Sequence, residues 1–98
     1  MYIIFLKFSQ QRANAGEWME AHKAWLQQGF DEGVFIASGS LPNKQGGAIL
    51  AHNAEPNALN ERLAADPFVE HGIVNAEVID VLLSKLDPRL AFIARASA

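Results

Sequence analysis

Residues 2–8, Tyr-Ile-Ile-Phe-Leu-Lys-Phe, are β-branched and aromatic side chains in an almost unbroken apolar run. A run this short and apolar reads as a central strand covered on both faces. Alternation puts Ile3, Phe5 and Lys7 on one side and Ile4, Leu6 and Phe8 on the other. Lys7 is the only charge and is expected near the strand's end. Residues 9–16 are polar and close in Asn14-Ala15-Gly16, a turn or helix entry. The period then changes from two to 3.6. Trp18, His22, Trp25, Leu26 and Gly29 share one helical face, which predicts a helix over about 15–31 with Gly33 as its C-cap glycine.

Val34-Phe35-Ile36-Ala37 predicts a second strand, residues 38–47 a long turn, and Ala48-Ile49-Leu50-Ala51-His52 a third strand. The last two strands form an antiparallel hairpin if the turn closes. Glu55-Pro56-Asn57-Ala58 opens a second helix, with Pro56 suited to its first turn and Leu59 and Leu63 on its apolar side. That helix stops at Asp66-Pro67, because a residue before proline is pushed out of the helical region. Residues 68–72 read as a short turn of helix or a loop. Ile73 to Leu83 read as the last strand.

The order β-α-β-β-α-β, with right-handed crossovers, gives an α+β fold. It is a four-stranded antiparallel sheet with both helices on one face, the ferredoxin-like arrangement. The other face remains apolar, and only the tail or a second copy could cover it. Two sheets packed face to face would bury it, so a homodimer is expected. Residues 1–84 form the single domain. Residues 85–98 are a tail whose Leu90, Phe92 and Ile93 should pack on the domain or on the dimer partner.

Composition narrows the function. The chain has 98 residues, half of them hydrophobic and only 19% charged, where about 25% is usual. The net charge is −3, and the 8 Lys and Arg are scattered without a basic run, so nothing recruits nucleic acid. There is no cysteine, which excludes disulfides, thiolate catalysis and Cys-ligated metals. The N-terminal apolar run lacks a basic n-region and ends in Ser-Gln-Gln-Arg, so a secretory leader is not expected. No stretch approaches the ~18 apolar residues of a membrane span. The expectation is a cytoplasmic protein with no membrane contact.

His22 is the residue that breaks the apolar stripe of the first helix. A buried imidazole needs a hydrogen-bond partner, and Asp66 is the acid to pair with it. Such a pair suits general acid–base chemistry near neutral pH. The competing reading is a core histidine that fastens the helix to the Asp-Pro turn. Ser38 and Ser40 flank Gly39, and their hydroxyls and backbone amides could hold a carboxylate or carbonyl oxygen; an ordinary Ser/Gly turn is the alternative. Trp18 and Phe68 are candidates to line a pocket beside the pair, although Trp18 and Trp25 read first as core. His22, His52 and His71 lack ligand spacing on one element, so no metal and no cofactor is expected. His52 reads as a strand-end residue and His71 as a solvated loop residue.

The N-terminal strand, the helix with His22, the Ser38-Gly39-Ser40-Leu41 turn, Gly46-Gly47, and Asp66-Pro67-Phe68 followed by Gly72 together resemble the YciI-like (YCII-related) family over residues 2–83. The family pattern has Gly-Pro in the turn, whereas here Ser40 follows Gly39 and the proline stands at Pro42. The resemblance implies a ferredoxin-like fold, a dimeric α+β barrel, and a site built on His22 and Asp66. Two functional readings follow. The first is a small enzyme using the His/Asp pair on a small organic acid, lactone or carbonyl compound. The second is a non-catalytic dimeric module that binds a small ligand or a partner.

Overall fold

Strand β1 (Tyr2–Phe8) is the hydrogen-bonded centre of the sheet in a computed structural model that describes residues 1–93. It pairs antiparallel with β3 (Gly46–Ala51) on one side and β4 (Val74–Asp80) on the other. Strand β2 (Phe35–Ser40) adds beyond β3, and the sheet order is β2-β3-β1-β4. Helix α1 (Ala15–Asp31) follows β1. Helix α2 (Pro56–Ala64) and the four-residue α3 (Pro67–Glu70) lie between β3 and β4. This is the βαββαβ, ferredoxin-like α+β fold, with α3 as a short addition.

One face of the sheet is sealed. Tyr2, Ile4 and Leu6 are buried in a single core with Trp25, Leu59, Leu63 and Phe68 from the helices. The opposite side chains of β1 differ: Ile3 and Phe5 are half-buried and Lys7 is exposed, 3.4 Å from Glu77. The strand is central in hydrogen bonding yet fully covered on one face only, a correction to the expectation of two covered faces. An interior place in the ladder satisfies the backbone and says nothing about which layer covers the side chains.

Helix α1 comes close to the sheet at Gly29. A Cβ there would fall 2.1 Å from Cδ2 of Phe35, a ring that is itself only 2% exposed. The helix ends in a Schellman motif. Gly33 takes φ +76°, its N–H donates to Phe30, and the Val34 N–H donates to Gly29. Of the expected stripe, Trp25 and Gly29 are buried, while Trp18, His22 and Leu26 are half-buried.

Three strand boundaries differ from the sequence reading by two residues or more. β2 runs on through Ser38-Gly39-Ser40, pairing Ser38 with Ile49, Gly39 with Ala48 and Ser40 with Gly47, and β3 starts at Gly46. Small polar residues carry no strand signal of their own; here the ladder with β3 imposes the extended backbone. The connection shrinks to residues 41–45, with Asn43 at φ +60° and Lys44 at φ +55°. Gly46 has φ +137°, and a Cβ there would meet the Leu6 carbonyl oxygen at 2.0 Å, so only glycine fits. β4 stops at Asp80, three residues early, where Asp80 pairs with Tyr2, the first residue of β1. Beyond Asp80 the Val81 N–H donates to the Met1 carbonyl and the Met1 amino group donates to the Val81 carbonyl, while Leu82 is 96% exposed.

In the described part of the tail, Asp87 caps a 3-10 turn at Pro88–Leu90. Ile93 is buried, and Phe92 lies edge-on to His52 at 5.7 Å. The remainder of the tail, 94–98, lies outside the described residues. Among the described residues no helix is long and apolar enough to cross a membrane.

The helix–sheet contact is testable at Gly29. Gly29→Ala forces the buried Phe35 ring to move and should lower stability by about 1–3 kcal/mol despite alanine's better helix propensity. Urea denaturation measures it; a variant as stable as the parent would show that the contact has slack.

Candidate active site

The site begins with a proline. Pro67 forces Asp66 out of the helical region, to φ −62° and ψ 123°, which ends the α2 segment and leaves Asp66 as the N-cap of α3. Its Oδ1 accepts the Phe68 N–H at 3.0 Å. The residue has no solvent exposure. The same Oδ1 lies 2.7 Å from Nδ1 of His22, which reaches it from α1. Oδ2 is buried with no hydrogen-bond partner among the described residues.

Against an ionised carboxylate, which can only accept, Nδ1 carries the hydrogen and donates it. In the neutral ring Nε2 is then left with its lone pair. The imidazole is held flat against Phe68, ring centres 4.1 Å apart and planes 6° apart, with Trp25 5.6 Å away. The side chain is 15% exposed.

Trp25 is anchored in turn: its Nε1–H donates to the Arg62 carbonyl at 2.9 Å. The Arg62 guanidinium reaches Glu32 at 2.7 Å, joining α2 to the end of α1. The hydrogen bond from Arg62, helped by Gln28, holds the Glu32 carboxyl below its ordinary value. These contacts brace the helix that carries His22.

His22 lines a cleft of about 620 Å³ between α1 and the β2–β3 end of the sheet. Met19 and Leu26 flank His22 on the helix wall, and Phe68 and Phe8 close the inner side. Ser38, Gly39 and Ser40 form part of the opposite wall. Their place follows from register, since Ser38 pairs with Ile49, a buried residue of the helix-covered face.

Trp18 does not line the cleft. Its ring stacks on His71 at 3.7 Å and 13°, at the far end of α3. Trp18 lies one helical turn from His22, and at that level the end of α3 takes the place of open space. His71 is exposed apart from that stack, and His52 is a buried residue just after β3 that does not line the cleft. Arg12, Lys23 and Lys44 also line the cleft. Sequence reasoning passed over them because two of the three lie in polar connections without periodicity. No group of three His, Asp or Glu side chains arranged to hold a metal occurs among the described residues.

The fold and this cleft define a small ferredoxin-like α+β protein with a histidine held by a buried carboxylate beside an apolar pocket. The YCII-related domain matches residues 1–82, and the chain belongs to that family. Its fold is similar to that of 5-chloro-2-hydroxyhydroquinone dehydrochlorinase from Burkholderia phenoliruptrix AC1100, solved in complex with 2,5-dihydroxybenzoquinone. The TM-score is 0.71 at 14% identity, over 85% of this chain and 94% of that one. No curated protein matches the chain.

A double-mutant cycle tests the central contact. His22→Ala, Asp66→Ala and the pair should show a coupling of about 1–3 kcal/mol in chemical denaturation, because each single change leaves its partner unpaired. Additive effects would mean that the contact contributes nothing net to stability.

Proposed function

We propose that the protein is a small enzyme that moves a proton on a small carbonyl compound, with His22 as the acid–base group. The observation that carries this is that a histidine lining the cleft has its Nδ1 paired with a fully buried carboxylate. In this reading Nε2 takes a proton from a carbon next to a carbonyl or from a hydroxyl, and the released electron pair moves to the carbonyl oxygen. The Asp66 carboxylate stabilises the imidazolium so formed. Return of the proton at another carbon completes an isomerisation; departure of a leaving group completes an elimination. Ser38 and Ser40 supply hydroxyls to orient the substrate, and Phe68 supplies an apolar floor. Lactones, organic acids and hydroxyquinone-type carbonyls are the substrate classes. Likeness in fold to a dehydrochlorinase that binds a dihydroxyquinone supports the last of these.

The test is exchange in D2O followed by NMR across a panel of such compounds, 2,5-dihydroxybenzoquinone derivatives included. Compounds that raise the melting temperature should also lose C–H signal faster with protein present. His22→Gln should slow that exchange by about 100-fold or more with the fold intact. Binding without exchange by any compound would favour the non-catalytic ligand-binding reading.

We also propose that a second copy covers the outer face of the sheet, closing an α+β barrel. Ile3, Phe5 and Leu50 are half-buried on that face and Ile79 is 43% exposed. Sedimentation at micromolar concentration should give about twice the 10.7 kDa chain mass. A monomer there would rule the barrel out.

A further inference from the structure

The mouth of the cleft carries charge of one sign. Arg12, Lys23 and Lys44 are lining residues, and no Asp or Glu is. The chain as a whole has net charge −3, so three cations gathered without an acid run against its composition. Asp66 is close, yet it lies behind the His22 ring with no exposure and forms none of the lining. Lys23 has Glu20 at 3.9 Å, one turn back, with both side chains mostly in solvent, where such a pair holds weakly. Neither Arg12 nor Lys44 makes an ion pair among the described residues.

Arg12 is also fixed in place. Its guanidinium lies 4.9 Å over the Phe8 ring, itself part of the cleft, and Nη2 donates to the Lys44 carbonyl at 2.6 Å. That bond crosses from the turn before α1 to the β2–β3 connection. Asn43 and Lys44 in left-handed backbone bend this connection tightly. A guanidinium has five N–H donors and this bond uses one. Its planar fork matches a carboxylate or the conjugated oxygens of an enolate, and being held beforehand reduces the ordering cost of binding.

We infer that the cleft selects small organic oxyanions, carboxylates or enolates, with Arg12 as the main charge partner and Lys23 and Lys44 adding to the field. This rests on the assignment of the cleft as the substrate site. The same cations would stabilise the enolate oxygen that forms when His22 removes a neighbouring C–H proton, because they face the charge that develops.

Calorimetry at low salt on the intact protein tests the inference with two matched pairs. The first is 1,3-cyclohexanedione, an enolate at neutral pH, against its neutral ether 3-methoxycyclohex-2-en-1-one. The second is benzoate against benzamide. In at least one pair the anion should bind about ten-fold tighter than its neutral counterpart, with the preference shrinking as NaCl rises. The pair that shows it tells enolate from carboxylate. Arg12→Gln should bring the ratio close to one while the neutral probe keeps its affinity within about two-fold. A merely structural Arg12 would weaken both members alike and keep the ratio, which overturns the inference. Lys23→Gln with Lys44→Gln keeps the Arg12 bond, which uses a backbone carbonyl, and should lower the ratio as well; an unchanged ratio there counts against the shared field. Equal binding of anion and neutral probe, or binding of neither, also overturns it. His22→Gln should leave the ratio intact. If that variant keeps full exchange activity, the acid–base assignment falls while the anion preference stands.

Discussion

A carboxylate without any exposure has to be paired, and that requirement organises one half of this molecule. Asp66 is where α2 ends, because Pro67 follows it, and where α3 begins, because its side chain caps the Phe68 N–H. The bond from His22 adds α1 to the same point. One side chain thus ties three helices together, and each tie has a local chemical cause. Replacing a buried pair by apolar residues is often neutral for stability, whereas removing one partner is not. The pair is therefore a stringent constraint on both positions without being a large source of net stability.

Much of this was legible in the sequence. The β1 run and the α1 period are long, regular signals set by local side-chain alternation, and their observed bounds match the reading. Asp66-Pro67 was legible because proline acts on its neighbour through sterics alone. The extension of β2 through Ser38-Gly39-Ser40 was not, because those residues become strand only through pairing with β3. The early end of β4 was not, because it depends on where β1 starts. At the site, His22 stood out as a polar residue in an apolar stripe. Trp18 read first as core, and it packs against the core; as a candidate to line the cleft it is displaced by His71 at the end of α3, a matter of tertiary packing. Arg12 and Lys44 are far apart in sequence, and only the fold makes them neighbours.

The cleft is built from two kinds of segment. Regular elements supply its rigid, apolar part, including the ring of His22 stacked on Phe68 and near Trp25. Irregular connections supply two of its three cations, from the turn before α1 and the loop before β3. Such a division lets the charged rim vary with loop sequence while the helix and strand positions stay constant. Gly46 limits that freedom, since its backbone lies against the Leu6 carbonyl and accepts no side chain.

Each of the chain's two tryptophans lies beside a different histidine. Trp18 stacks on the exposed His71, and Trp25 lies 5.6 Å from His22. An imidazolium next to an indole quenches its emission, and a neutral imidazole does so far less. With Trp18 replaced by Phe, the light emitted by Trp25 becomes a label-free optical record of when the ring of His22 gains or loses its proton. The packing that braces α1 thus also equips the protein with a spectroscopic reporter beside the histidine that the proposed function relies on.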